Sequence, residues 1–559
     1  MMKDRINPDN SNKTDLYGEF KNQAKKFEAE KKTEMQKFYE NQQNLIKKYS
    51  NNNFQIKELN STNKIAISAT PLDDSVSAKM SSRKIIKQKL VDWASNTKSH
   101  GVPNIMRVES TFLRIVWTIC FVASLGYCIY TIVGIIQTFL LFEVLINQQV
   151  VTDSPIEFPA VTVCNLNPFD RRKAQGYIDQ VLAKNNLSYV SDVNKIDKNP
   201  RLINTLIKSS IIGNPNLTAE NIEQLGFHID YMLLTCYFND IPCSQSEFVL
   251  TYDFDFVNCY TFNSGYDRHG NKVPVKRINE AGADQSLKLE LFLGYDLTQS
   301  QYILNSGARV VVHNQSAKPI ISNEGIDIPS GFQTNIGLKR SFFHKLDTPY
   351  STCVKNSKSP DGYHSFFYKA IFNRLNMKVY RQKVCLRLCL QEFILNECKC
   401  LDGSLPNIYQ NKSVCESISS LECVADSRGE YFSSISSSSC SQCPLECDSY
   451  SFQLTTSSSR YPTLYYRNYL SEQTNILSRF PEGTKKNEIT KSTVLINVFY
   501  DDLATTYTTE TAAVSPVALL GNIGGNLGLF IGISLLTFVE IIEFLISVFL
   551  ICLKKIYLK

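Results

Sequence analysis

No cysteine precedes Cys120, the opening residues MMKDRINPDN hold no apolar core, and the 559-residue chain has only six histidines. Without that core no signal peptide is expected, so the first long apolar run has to direct the chain to a membrane. The P-loop, HExxH and GxSxG patterns are missing as well, and His228, His269, His313, His344 and His364 are scattered singly. No catalytic centre, metal site, cofactor or nucleic-acid partner is therefore expected, and the chain reads as a non-enzyme.

What cysteine there is lies mostly in one region. Of 17 residues, Cys120, Cys128 and Cys552 sit in apolar runs, and the other 14 fall between Cys164 and Cys447. An even number concentrated there points to as many as seven disulfides in an oxidising compartment. A zinc site built on Cys398, Cys400 and neighbours is the less favoured alternative in such a setting. Charge divides the same way. Residues 1–110 hold 20 Lys+Arg against 13 Asp+Glu, three lysines follow Leu553, and the whole carries +6, which leaves the intervening stretch at −4. By the positive-inside bias both ends are cytoplasmic.

The residues up to about Ser82, rich in Lys, Glu, Asn and Gln, read as a charged helix around Asp15–Tyr49 or as disorder, with no function assigned. The run Phe112–Phe142 carries one charge, Arg114, and exceeds the roughly 20 residues that cross a bilayer. Val517–Leu553 is long enough as well. Between them lies room for a large extracellular domain. Asn186, Asn216, Asn314 and Asn411 begin N-x-S/T sequons there, although Asn12 and Asn60 show that such triplets also arise by chance. Period-two alternation predicts strands over Leu287–Leu297, Ala308–Asn314 and Ser492–Leu503. Helical periodicity covers Tyr380–Cys400, with Cys385 and Cys389 on one face. The expected fold class is α+β: two transmembrane helices carrying a disulfide-rich ectodomain of mixed α/β structure.

Polar side chains inside a membrane-spanning run cost free energy unless they face water or protein. Asn522, Asn526, Ser534, Glu540 and Glu543 all stand in the second run. Helix packing accounts for its glycines, since Gly521/Gly525, Gly524/Gly528 and Gly528/Gly532 are small-xxx-small steps, but not for two carboxylates. A pore accounts for both. Glycine lets backbone carbonyls and neighbouring subunits close on a constriction, and acidic rings attract cations at its mouth. Gly532-Ile533-Ser534 is the candidate constriction, and Glu540 with Glu543, on one helix face, are the candidate ring carboxylates. Two spans cannot enclose a pore alone, so identical or related subunits must assemble.

Four segments stand in an order that resembles one family. These are His100-Gly101, FPAVTVCNLNPF (Phe158–Phe169), NCYTFNSG (Asn258–Gly265) and LLGNIGGNLGLFIGISLLTFVEIIEF (Leu519–Phe544). Over roughly residues 95–553 the chain is similar to the degenerin, epithelial sodium channel and acid-sensing ion channel superfamily. The resemblance implies a trimeric, multi-pass, plasma-membrane channel that passes sodium ions and is blocked by amiloride. Its implied parts are a cytoplasmic arm (1–111) with a re-entrant His-Gly segment near 95–106, a first transmembrane helix (112–142) and an extracellular cysteine-rich domain (143–515). A pore-lining second helix (516–553) and a short cytoplasmic tail (554–559) follow. The ectodomain would have palm, knuckle, finger, thumb and β-ball parts, the thumb at about 353–447.

Residue by residue, the resemblance makes Gly532, Ile533 and Ser534 the selectivity filter, with Ile533 bulkier than the small residues or serine usual there. It puts His100 and Gly101 in a segment that lines the lower pore and sets open probability, and Ala518 where a small side chain allows closure. Phe142 and Tyr350 would be the aromatic pair that joins ectodomain to pore. The implied disulfides are Cys164–Cys259, Cys236–Cys243, Cys353–Cys447, Cys385–Cys443, Cys389–Cys440, Cys398–Cys423 and Cys400–Cys415, and the four extracellular sequons would be glycosylated.

The stimulus is less marked. Between Gly294 and Cys353 the segments GARVVVHN, IDIPSG and PYSTC are similar to the invertebrate peptide-gated and degenerin branches, which favours an extracellular RFamide-like neuropeptide ligand. Proton gating, mechanical gating and constitutive opening are the alternatives within the superfamily. An ionotropic purinergic-type receptor shares the two-span trimeric plan, but it needs a lysine-rich ATP site and would lack FPAVTVCN. A receptor without a pore leaves Glu540, Glu543 and the glycine steps unexplained.

Overall fold

Strands form where β-branched and aromatic residues run together, and here they collect into two main sheets. The computed structural model describes residues 82–97, 99, 101–187, 199–294, 303–315, 317–434, 440–473, 476, 478–479 and 486–557. The helix expected around Asp15–Tyr49, His100 and Tyr295–Leu297 lie outside them. In chain order the strands are β1 (Val144–Thr152), β2 (Ile156–Glu157), β3 (Ala160–Asn165), β4 (Leu233–Phe238), β5 (Ile241–Pro242), β6 (Phe248–Asp253) and β7 (Val257–Phe262). They continue with β8 (Arg277–Ile278), β9 (Leu287–Phe292), β10 (Gly307–His313), β11 (Ile326–Pro329), β12 (Phe332–His344), β13 (Asp448–Arg460) and β14 (Thr493–Ala512). One sheet runs β13-β12-β14-β9-β4-β5, with β1 also on β14, and the other runs β11-β10-β3-β7-β6.

The two sheets share a core. Val161, Val163, Phe248, Tyr260 and Phe262 of one pack in a single cluster with Leu287, Leu289, Ile336, Val494, Ile496 and Tyr500 of the other. Phe158 lies at their junction, edge-on to Phe238 at 5.1 Å and to Tyr500 at 6.3 Å. Its carbonyl oxygen accepts from Asn263 and from Gln315, each at 2.6 Å. The FPAVTVCN and NCYTFNSG segments are thus adjacent pieces of one architecture: β3 pairs with β7 antiparallel, and Cys164 bridges to Cys259.

The strand expected over Ser492–Leu503 runs on to Ala512. Its second half, TTYTTETA, is polar and shows no buried stripe. It is a strand because β1 pairs with it residue for residue, from Val144↔Ala512 to Thr152↔Ala504, while β12 pairs in parallel on its other side. Backbone hydrogen bonds to two neighbours decide the conformation where side-chain pattern does not.

The longer helices are α1 (Ser82–Asn96), α2 (Val102–Arg107), α3 (Thr111–Leu140), α4 (Arg171–Lys184), α5 (Pro200–Ile212), α6 (Ala219–Leu225) and α7 (Phe366–Asn373). After them come α8 (Gln382–Cys398), α9 (Ile418–Ser434), α10 (Leu464–Leu470), α11 (Lys486–Ser492), α12 (Pro516–Ile531) and α13 (Leu535–Tyr557). The periodic stretch Tyr380–Cys400 is α8, which ends where Lys399 turns left-handed at φ +61°. The chain divides into two units: residues 1–98, 102–108 and 535–559 make one, and residues 99–101 and 109–534 the other.

Seven disulfides hold the ectodomain: Cys164–Cys259, Cys236–Cys243, Cys353–Cys447, Cys385–Cys443, Cys389–Cys440, Cys398–Cys423 and Cys400–Cys415. Cys385 and Cys389, one turn apart on α8, reach two cysteines of a facing loop. The small core around Val384, Leu388, Tyr368 and Tyr380 depends on that attachment. Replacing Cys385 and Cys443 together by serine is expected to cost about 2–4 kcal/mol, the usual worth of a bridge closing a long loop. Thermal unfolding of the purified protein checks it.

Candidate ion path and its couplings

α3 is one 30-residue apolar helix, long enough to cross a membrane. Most of it is exposed in the single chain, with Phe112 73% and Tyr130 75% accessible, as expected of a surface meant for lipid or for other subunits. The second apolar run departs from the single span expected. It is two helices, α12 and α13, separated at Gly532–Ser534, and it qualifies as a span only if the broken pair counts as one.

The cause of the break is local. Gly532 adopts φ +70°, a left-handed conformation that costs other residues and not glycine. Its N–H donates to the Gly528 carbonyl oxygen at 3.1 Å, and the Ile533 N–H donates to that of Leu527 at 3.2 Å, which closes α12 with a left-handed αL cap. The buried carbonyl of Ile531, the last residue of α12, accepts from Ser99 Oγ at 3.2 Å. Ser99 immediately precedes the His-Gly pair. A Cβ on Gly101 would run into the Phe121 ring of α3, so this position admits only glycine without rearrangement.

α12 packs along α3. Tyr127 meets Phe530 edge-on at 5.1 Å, and Thr131 Oγ1 donates to Asn526 Oδ1 at 3.3 Å. The Asn526 amide donates in turn to the Asn522 carbonyl oxygen at 2.8 Å. Asn526, one of the polar residues that demanded a reason, has found protein partners, while Asn522 and Ala518 are exposed in the single chain. Ala518 lies in the first turn of α12, its N–H capped by Ser515 Oγ at 3.1 Å.

In the other unit α1 packs on α13. Trp93 and Phe544 stack at 5.4 Å, and Thr97 Oγ1 donates to Glu540 at 3.3 Å. Glu540 is half-buried and Glu543 exposed. Trp93, Thr97, Ser99 and Thr131 were not singled out from the sequence. The only sign available was a tryptophan and a hydroxyl spaced four apart just before an apolar run.

The two apolar runs enter the ectodomain side by side. β1 follows α3 and β14 leads into α12, and the two strands pair along their full shared length, with the Ala513 N–H donating to the Glu143 carbonyl oxygen at 2.9 Å. Phe142 stands at φ +51° just past the end of α3, in edge-to-face contact with Tyr350 at 5.6 Å.

Two titratable groups between the apolar helices stand out. His313 Nδ1 faces the Asn314 carbonyl oxygen at 3.0 Å, which can only accept, so Nε2 of the neutral ring accepts from Thr162 Oγ1 at 2.8 Å. Burial is the main cause holding its pKa below the ordinary value, and Glu324 and Arg381 are the charged groups nearest it. A folded state that resists protonation loses stability as pH falls through the unfolded histidine value of about 6.5. Acidification from pH 7 toward pH 5 is therefore expected to lower the melting temperature of the ectodomain, and His313→Gln to flatten that dependence in a thermal melt series. Asp253 is pushed up by burial and by Asp255 beside it. Asp255 itself pairs with Lys208 at 2.6 Å.

A cystine-stapled α/β ectodomain of two sheets, entered from paired apolar helices of which one is broken at a glycine, defines a class of membrane proteins rather than of enzymes. The chain belongs to the amiloride-sensitive sodium channel family, whose family model matches residues 93–544. It is 26% identical over 483 residues to acid-sensing ion channel 1C of Danio rerio, covering 82% of this chain and 83% of that one. It is 25% identical over 467 residues to the bile acid-sensitive ion channel of Homo sapiens, covering 82% and 86%. To the FMRFamide-activated amiloride-sensitive sodium channel of Cornu aspersum it is 24% identical over 329 residues, covering 57% and 48%. The family is one of ion channels, and the chain is no enzyme.

Proposed function

We propose that the chain is a subunit of a trimeric, plasma-membrane sodium channel, blocked by amiloride and opened by an extracellular RFamide-like peptide, with both ends in the cytoplasm. The observation that carries the pore reading is the break at Gly532–Ser534. Non-helical backbone inside an apolar run is tolerated where it lines a water-filled path or is buried in protein. Gly532, Ile533 and Ser534 then form the filter, Glu540 and Glu543 draw cations toward the inner mouth, and Ala518 sits at the gate. His100 and Gly101 line the lower pore, and Phe142 with Tyr350 carries motion from ectodomain to helices. Residues 112–142 and 516–553 are the spans, and 143–515 is the extracellular domain, with its palm, knuckle, finger, thumb (about 353–447) and β-ball parts. Asn186, Asn216, Asn314 and Asn411 are its glycosylation sites.

Peptide gating draws support from the similarity to an FMRFamide-activated relative. Proton gating is the second reading, favoured by the raised Asp253 carboxyl beside Asp255. Expression of the chain alone in a voltage-clamped cell separates them, with external sodium replaced and acid, RFamide-type peptides and amiloride applied in turn. The expected result is a peptide-evoked, amiloride-blocked sodium current. An acid-evoked current without a peptide response selects the second reading, and no current under any condition, with surface delivery verified, overturns the homomeric channel.

A further inference from the structure

The five-stranded sheet ends on an edge that is open beyond Phe248, whose carbonyl oxygen accepts from Arg268 Nε at 3.2 Å. β6 is its last strand, so alternate residues turn backbone N–H and C=O groups away from β7. Proteins usually blunt such edges with lysine, proline or a bulge. The strand FVLTYD carries none of these inside it, and Leu250 and Tyr252 are 36% and 48% exposed.

The edge strand borders a cleft of about 350 Å³. Val249, Leu250, Thr251 and Tyr252 of β6 line it together with Thr261 of β7 and His313 of β10. Lys318 and Lys378 belong to the same lining. Among the described lining residues these two are the only formal charges at neutral pH, and no carboxylate is present. Lys378 Nζ lies 3.7 Å from the centre of the Tyr266 ring, which fixes the ammonium at the cleft.

A free β-edge supplies directional hydrogen bonds to an extended chain, and an unopposed pair of ammonium groups supplies the sign of its charge. We propose that this cleft docks an acidic peptide segment, which adds to β6 as a further strand and sets a carboxylate against Lys318 and Lys378. A cationic, amidated RFamide peptide does not fit that charge. The site is therefore separate from the opening stimulus and stands whichever stimulus that is.

The test uses the purified full-length channel and labelled, acetylated pentapeptides of alternating threonine and valine with glutamate at one end. Matched peptides carry lysine in place of glutamate, or N-methyl groups on alternate amides. Binding is read by fluorescence anisotropy. The glutamate peptide is expected to bind at least tenfold tighter than the lysine peptide, and N-methylation and the K318Q/K378Q double variant are each expected to weaken it about tenfold. A glutamate peptide ending in a free carboxylate, set beside its C-terminal amide, tells whether the main-chain or the side-chain carboxylate is used. Equal binding of glutamate and lysine peptides, indifference to N-methylation, or no binding at millimolar peptide overturns the proposal. The N-methyl comparison needs no variant, so it stands even where the lysine replacements disturb folding.

Discussion

Gly532→Val is expected to abolish the sodium current while leaving the amount of channel at the cell surface unchanged. Two physical effects add at this position. Gly532 sits at φ +70°, where a β-branched residue carries a strain of order 1–3 kcal/mol. The left-handed cap it forms sets where α12 stops and where Ile533 and Ser534 begin. A valine that extends the helix through this point removes the non-helical backbone on which the constriction rests. Ser534→Ala makes the finer comparison, since it keeps the backbone and deletes one hydroxyl. Its expected effect is a change in the sodium-to-potassium permeability ratio of severalfold, read as a shift in reversal potential when external sodium is exchanged for potassium. If both variants pass current with unaltered selectivity, the filter lies elsewhere.

The second large effect is expected from Phe142 and Tyr350. Their edge-to-face contact at 5.6 Å ties the segment just outside α3 to the turn that precedes Cys353. Aromatic pairs of this geometry are worth about 0.5–1.5 kcal/mol beyond their buried area. Loss of the contact is thus expected to shift the stimulus concentration for half-activation by up to about tenfold, and to cut the maximal response where the pair transmits motion. Phe142→Ala, Tyr350→Ala and the double variant form a cycle. A double variant no worse than either single one marks a shared pathway, whereas strictly additive losses, or currents like the parent's, assign both residues a plain anchoring role.

The sequence was most legible where one physical requirement dominated. Strands β9 and β10 and helix α8 were visible in periodicity, because each buries one face or stripe against a core. The strand half TTYTTETA and the edge strand β13, with SFQLTTSSSR largely exposed, were not, because their conformation comes from backbone pairing with β1 and β12. Helix α9, ISSLECVADSRGEYFSS, was not singled out either; it is tied to α8 by Cys423 bonded to Cys398.

Family membership, the 30-residue apolar helix and the concentration of 14 cysteines between Cys164 and Cys447 were determined by the sequence itself. Composition and order suffice for them. Three things were left to the tertiary structure: that the second apolar run divides at Gly532, that Ser99 caps its first half, and that the edge strand β6 shares a cleft with Lys318 and Lys378. The first turns on the backbone conformation of one glycine, and the other two on groups far apart in the chain that folding brings together. A left-handed glycine, a serine 432 residues away from the carbonyl it caps, and two lysines on separate loops leave no periodic trace in one dimension.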